Sequence, residues 1–490
     1  MSDNEYFEEE TPSRVIQGGL FPSSPRASRR ESIFSDVIAE VLGADPSYSL
    51  EDLEDHIRST ESGPADEGHR EQLLDVLDHK YVKLPRDTHK ASSRALIPFD
   101  PTVAQYILPP GSSAWGRWYE MFVTESPEDT INSDSHNVLV DKLDEVSASN
   151  TFEEFIINKI EDMVGDDQSE TGGSSLTPRR CYLPELASAF QRDVRAWSSI
   201  PTVTGSQWLL TFRDLVCFYC MMYYMQLARN LKSEWEEFCV DTRDSGWSPH
   251  VHELPFGIRT ERAGESRDFR NLWEGSSIVP SMYDQLYESW MRLTVTRLLN
   301  DALDEQGITP DDRPFTMLEA KERLHAQAEE YTGEDDSPIE AAIKHLTSVI
   351  ADSNYDDEPE SLVDAAWLVF DTVDEYYRTQ DSTIAAIRLG PAAVRQLGLS
   401  DERTFIEERQ KAGLIFVLNE GSLAMFARIF TELQNNGAQD YSYSNFRSFL
   451  TSRGIKLKGE SQAAAREMLE GMGLIRQESD SGDTINVRTH

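Results

Sequence analysis

Apolar positions recur at helical spacing through most of the middle of the chain. The spans 206–238, 282–305, 315–331, 338–352 and 361–379 each show the i, i+3, i+4 repeat of a helix with one buried face. Gly307 with Pro310, Gly333 to Pro338 and Asp352 to Pro359 break the pattern where helices should stop. These spans predict an all-helical central domain over residues 181–400. Upstream, residues 46–164 predict shorter helices, interrupted at Pro101, Pro109, Pro110 and Gly111. Their clearest amphipathic stripe is Phe152, Phe155, Ile156, Ile160 and Met163. Residues 165–180, rich in Asp, Ser and Gly, read as a linker. Residues 1–45 mix acidic residues with Ser, Pro and Arg and carry little periodicity, so they predict a disordered arm. No fixed-period repeat is visible, so no solenoid is predicted.

The end of the chain, 413–490, carries the most interpretable local pattern. Ser422 can cap a helix burying Leu423, Phe426, Phe430 and Leu433, with Gly437 closing it. A second helix runs from a Ser444 cap through Phe446, Phe449 and Leu450 to Gly454. A third follows Ser461, buries Ala465, Met468, Leu469 and Met472, and stops at Gly473. A hairpin completes the series: Leu474 to Glu478, a turn of Ser479, Asp480, Ser481, Gly482 and Asp483, then Ile485 and Val487 on an alternating strand. Three helices and a two-stranded wing predict a winged-helix domain. The expected fold is mainly α, a bundle-like multi-helix body with that domain at its C-terminal end.

Charge sharpens this division. The 490 residues carry 46 Lys plus Arg against 87 Asp plus Glu, a net charge of −41. Only 11 of the basic residues are Lys. Such an excess of carboxylates repels itself unless salt screens it, at a Debye length of about 3 Å in 1 M salt. The composition therefore reads as that of a halophile's cytosolic protein, with an ordinary acidic mesophilic protein as the alternative. Residues 441–490 hold 7 basic and 6 acidic residues, whereas 1–440 hold 39 and 81, so the terminal segment alone escapes the bias. Arg453, Lys456, Lys458, Arg466, Arg476 and Arg488 are its candidate phosphate contacts. Glu467 and Glu470, on the expected outer side of the third helix, oppose groove reading. DNA contact and protein docking both remain open. Four cysteines suit a reducing cytosol. The acidic N-terminus is unlike an export signal, and the longest apolar run, Leu215 to Met225, is too short for a bilayer, so a cytoplasmic protein without a membrane span is expected.

The chain contains no Gly-x-x-x-x-Gly-Lys-Ser/Thr loop, Gly-x-Ser-x-Gly elbow, His-Glu-x-x-His helix or Gly-x-Gly-x-x-Gly turn. Those nucleotide-, acyl- and metal-dependent classes drop out, and no cofactor, metal or small-molecule substrate is expected. Cys217-x-x-Cys220 falls inside an apolar helix, where core cysteines are the simpler account than a zinc or redox pair. His250-x-His252 has only Glu253 as a neighbouring ligand candidate. Asp311 with Glu319 and Lys321 imitates the carboxylates and lysine of divalent-metal nucleases, but that chemistry needs the last two on one face of a strand. Their surroundings have helical period, which turns them about 200° apart. The aromatics Trp208, Phe212, Phe218, Tyr219, Tyr223 and Tyr224 surround their helix and predict a buried hub. Arg259 to Arg262 and Glu265 to Asp268 mix Arg with carboxylates, as a surface ion-pair network does, with an anion-binding corner as the alternative.

Two stretches resemble the DptG family, associated with DNA-phosphorothioation-dependent restriction, in its halophilic archaeal type. One is the terminal Ser452-Arg453-Gly454-Ile455, Glu470-Gly471-Met472-Gly473-Leu474-Ile475 and Glu478 to Val487. The other is the Leu209 to Leu227 helix followed by Leu254-Pro255-Phe256 and Ala263-Gly264-Glu265-Ser266-Arg267. The resemblance covers roughly residues 180–490. It implies a non-catalytic scaffold and DNA-engaging subunit of an anti-phage restriction complex, working with P-loop ATPase and nuclease or helicase partners. Two rivals from other classes are a metal-dependent nuclease subunit using Asp311, Glu319 and Lys321, and a winged-helix transcription regulator.

Overall fold

The computed structural model describes residues 30–59, 67–83, 94–108, 115–125, 134–165, 176, 181–201, 205–240, 246–259, 278–308, 315–332, 336–348, 359–379, 394, 397–398, 403–409, 413–435, 441–477 and 485–487. The chain is mostly helical. The first residues described already depart from expectation. Arg30–Leu42 forms helix α1, whose Ile33, Phe34, Val37, Ile38 and Val41 are buried in the main core. The expected arm over 1–45 therefore gives way to core by Arg30; residues 1–29 lie outside the described residues. Five apolar residues at helical spacing within nine positions are the signal that the Ser- and Arg-rich context conceals.

Helices α2 (Leu50–Arg58), α3 (Glu67–Tyr81), α4 (Pro101–Tyr106) and α7 (Thr151–Val164), with the short strands β1 (Val82–Lys83) and β2 (Ala95–Leu96), gather around a second, smaller core. Ile156 and Ile160 from the predicted stripe sit at its centre, with Phe152, Phe155 and Met163 packed at its edge. Asn150 starts α7 by accepting hydrogen bonds from the backbone of Phe152 and Glu153. Helices α5 (Trp115–Thr124) and α6 (Asp134–Asp144) instead join α1 on the main core.

The main core is organised around α9 (Gly205–Phe238), which at 1.5 Å per residue runs for about 50 Å. All six of its named aromatics are buried. Their rings meet rings from several directions: Phe212 meets Phe34 of α1, Tyr223 meets Phe122 of α5, and Tyr219 meets Phe190 of α8 (Pro184–Ser199). Phe218 meets Phe405 and Phe426. A helix apolar on every side needs partners on every side, as the sequence predicts. Helices α10 (Ile278–Glu305), α11 (Met317–Glu330), α12 (Pro338–Ser348) and α13 (Leu362–Thr379) pack on one flank. Their bounds follow the predicted spans to within a few residues.

The sequence pattern predicts no sheet in this body, and the structure adds one. Strands β3 (Leu254–Ile258), β4 (Ile406–Arg409), β5 (Gly413–Leu418) and β6 (Ile455–Leu457) form one sheet in the order β4-β5-β3-β6. Strand β3 runs parallel to both neighbours, pairing Leu254 with Ile455 and Ile258 with Leu418. Pro255 is tolerated inside this strand because of the register. The Leu254 N–H donates to Gly454 O on the β6 side, while the Arg259 N–H donates to Leu418 O on the β5 side. Residue 255 thus faces the β5 side, where pairing begins only at Gly257.

Beyond β5 come α14 (Glu420–Asn435), α15 (Tyr443–Thr451), β6, α16 (Glu460–Gly471) and the antiparallel hairpin β7 (Ile475–Gln477) with β8 (Ile485–Val487). Three caps differ from expectation. Asn419, rather than Ser422, caps α14, and the two side chains exchange hydrogen bonds with each other's backbone N–H. Ser442, rather than Ser444, caps α15 by accepting from the Asn445 N–H. Gly459 precedes α16, whose second residue, Ser461, is buried. Because β6 is a strand of the sheet built on β3, the spans 181–400 and 413–490 share one sheet and one core.

Candidate nucleic-acid interface

Arg453 was a candidate phosphate contact, and the structure turns it inward. It follows α15, is 2% exposed, and clamps Asp193 of α8, which is wholly buried. Its Nε donates to Asp193 Oδ2 at 2.7 Å, and its Nη2 pairs with Oδ1 of the same carboxylate. Tyr219 of α9 donates its hydroxyl to Asp193 Oδ2 at 2.5 Å, and the guanidinium lies 3.5 Å from the Phe449 ring centre. Burial works against the guanidinium's charge, and Asp193 and Tyr219 more than offset it, leaving Arg453 above its ordinary value. Gly454 completes the clamp with φ of +78°. A Cβ there would stand 2.7 Å from both Gln226 Nε2 and Met222 Cε, so a side chain would strain the backbone and displace the Gln226 amide. The Ser452-Arg453-Gly454-Ile455 motif is thus a lock between the terminal helices and the body.

The remaining candidates divide. Lys456 of β6 pairs with Glu253, and Arg466 Nε lies 3.0 Å from Glu470 Oε1 on α16. Lys458 is exposed at the end of β6. Arg476 lies on β7, but its side chain, Arg488 and the turn Ser479, Asp480, Ser481, Gly482 and Asp483 fall outside the described residues. Glu460, Glu467 and Glu470 are exposed along α16. Three of the four candidates whose side chains are described are therefore engaged by carboxylates, and the outer side of α16 is acidic.

Two members of the nuclease constellation have structural roles. Asp311 lies outside the described residues, whereas Glu319 and Lys321 lie on α11. Glu319 forms a capping box with Thr316, accepting from its N–H at 2.8 Å. Lys321 is buried and donates to the carbonyls of Phe238 and Val240, each at 2.8 Å, closing the C-terminal end of α9. Cys217 and Cys220 are buried in α9, where burial pushes both thiols up, with Cys220 well above its ordinary value. Among the described residues no three His, Cys, Asp or Glu side chains gather as metal ligands. No helix among the described residues is long and apolar enough to cross a membrane.

His250 and His252 matter through their backbones. Gln226 Nε2 donates to His252 O at 2.6 Å, and the His252 N–H donates back to Gln226 Oε1 at 2.8 Å. Asn230 makes the same exchange with His250, at 2.9 and 3.0 Å. Two amides one helical turn apart thus present donors and acceptors as a neighbouring strand would, and they steer the chain into β3. The signal in the sequence is the pair of amides Gln226 and Asn230, one helical turn apart and directly after the apolar run Leu215 to Met225.

Two further buried groups escaped the sequence reading. Asp214 of α9 is wholly buried and receives three guanidiniums: Arg30 at 2.9 Å, Arg403 at 2.9 Å and Arg213 at 3.1 Å. It ties α1 and the segment before β4 to the central helix. Glu234 accepts from the Tyr182 hydroxyl at 2.6 Å and from the Leu318 N–H at the start of α11 at 3.0 Å. Burial pushes its carboxyl above the ordinary 4.5, against those hydrogen bonds. A raised pKa means that the folded protein binds the proton more tightly than the unfolded chain. Stability is therefore lost as pH rises from about 4.5 toward the folded value. Glu234→Gln is expected to flatten that part of the stability profile, as followed by urea denaturation across the pH range.

Neither comparison with protein families nor comparison with curated proteins returns a match for this chain.

Proposed function

We propose that this chain is a non-catalytic scaffold subunit of a DNA-phosphorothioation-dependent restriction complex, an anti-phage defence assembly that works with P-loop ATPase and nuclease partners. The family attribution rests on the sequence resemblance alone. The scaffold role rests chiefly on the Arg453–Asp193 lock, a buried ion pair that ties the terminal helices to α8 and, through Tyr219, to the α9 core. In this reading the helix-helix-strand-helix-hairpin order of 420–487 is a winged helix used for docking. Protein docking is favoured over DNA engagement, because carboxylates engage Arg453, Lys456 and Arg466 and because the outer side of α16 is acidic. DNA engagement would draw on Lys458, Arg476 and Arg488, and in molar salt counterion release would drive it only weakly.

Two experiments test the proposal. Pulldown in molar KCl from cells that express phosphorothioation-system proteins is expected to retain ATPase or nuclease subunits; recovery of the chain alone would sink the scaffold reading. Incubation of the purified chain with plasmid and Mg2+ or Mn2+ is expected to leave the plasmid intact. Cleavage that disappears in Glu319→Ala would establish the nuclease alternative instead.

A further inference from the structure

We propose that the outer face of α13 around Trp367 is a docking site for an arginine- or lysine-bearing helical segment of a partner subunit. The inference rests on the scaffold reading and names the chemistry of what the scaffold holds. Trp367 is 42% exposed and Val240 is 47% exposed, the highest values among the tryptophans and valines that are described. Both adjoin Cys239: Val240 follows it in the chain and Trp367 lies against its thiol. The indole is held from behind by Trp235, whose ring centre is 4.9 Å away, and by Phe370 at 5.5 Å. It is therefore a rigid apolar surface, with little conformational freedom left to lose on binding.

The rim identifies the occupant. Asp364 and Asp371, three residues before and four after Trp367, share its helical face, and both are exposed, as are Glu360 and Glu375. Asp371 has no hydrogen-bond or ion-pair partner among the described residues. Its carboxyl is pushed up by partial burial and by the charge of Asp374, so ionisation there is opposed and a cation would relieve it. A flat indole bordered by carboxylates suits a guanidinium or ammonium stacked on the ring, with its charge reaching the rim. Asp364 also accepts a hydrogen bond from the Ser361 hydroxyl at 2.7 Å, so Asp371 is the carboxylate that an acidic or purely apolar segment would leave unpaired.

The test uses the full chain and two synthetic amphipathic peptides at matched KCl. One carries arginines at i, i+4 and i+8; the other carries glutamates at those positions. The arginine peptide is expected to bind the wild-type chain, and the glutamate peptide is not. Trp367→Ala should weaken binding at least about fivefold, and Asp371→Lys should weaken it further, with the far-ultraviolet circular dichroism of both variants matching wild type at the assay temperature. Equal affinity in wild type and Trp367→Ala would mean that the peptide follows general negative charge, and would overturn the proposal; so would failure of the arginine peptide to bind. Self-association of the wild-type chain that Trp367→Ala abolishes in sedimentation would overturn it in favour of a second copy. Partner proteins that still co-purify with Trp367→Ala would leave the scaffold reading standing and remove this face as the dock. Absence of partners with wild type would sink that reading alone, while the peptide results still decide this one.

Discussion

Arg453→Ala is expected to lower the unfolding free energy by about 3–5 kcal/mol, the cost of stranding one member of a buried ion pair. Asp193 would keep the Tyr219 hydroxyl but lose both guanidinium bonds, and the Phe449 ring would lose the cation stacked on it. Urea denaturation followed by circular dichroism measures the loss. Because the pair is buried, the loss should persist from low salt to molar KCl, unlike that of a surface bridge. Arg453→Lys should recover little, since an ammonium cannot replace the two-pronged contact. Asp193→Leu combined with Arg453→Met should cost less than Arg453→Ala alone, because no buried charge is left unpaired. A loss below about 1 kcal/mol for Arg453→Ala would mean that the terminal helices are held by apolar packing alone.

Asp214→Ala is expected to destabilise by a similar amount, about 3–5 kcal/mol, for a different electrostatic reason. The substitution would leave Arg30, Arg213 and Arg403 converging on a point from which their shared carboxylate has gone. Since Arg30 stands at the first turn of α1, the loss should be felt there first. Native-state hydrogen exchange is expected to show α1 opening below the global unfolding energy in the variant. If α1 kept its protection while overall stability fell, its anchor would be its apolar face and not this ion cluster.

The helices of 205–379 were legible because each carries a long apolar repeat and a chemically marked end. The strands were harder. Gly413-Leu414-Ile415-Phe416-Val417-Leu418 has the continuous apolar, branched character of a buried strand, and that signal was present to be read. Leu254 to Ile258 contains Pro and Gly, which locally argue against a strand; only the register against β5 and β6 makes it one. Helix α1 was hidden by its polar neighbours. At the candidate interface, sequence alone could identify basic residues but not what faces them. Asp193 is 260 positions from Arg453, and no local pattern links the two. Lys321 was separable from nuclease chemistry because its helical period was visible, although its use as a cap on α9 was not.

The placement of β3 between two distant strands has a consequence for biosynthesis. Leu254 pairs with Ile455 and Ile258 with Leu418, so the middle of the sheet waits for segments made much later on the ribosome. Such high contact order slows folding and leaves strand edges open in the nascent chain. The amides of Gln226 and Asn230 hold the run into β3 from within a neighbouring helix, so they can act as a placeholder until β5 and β6 emerge.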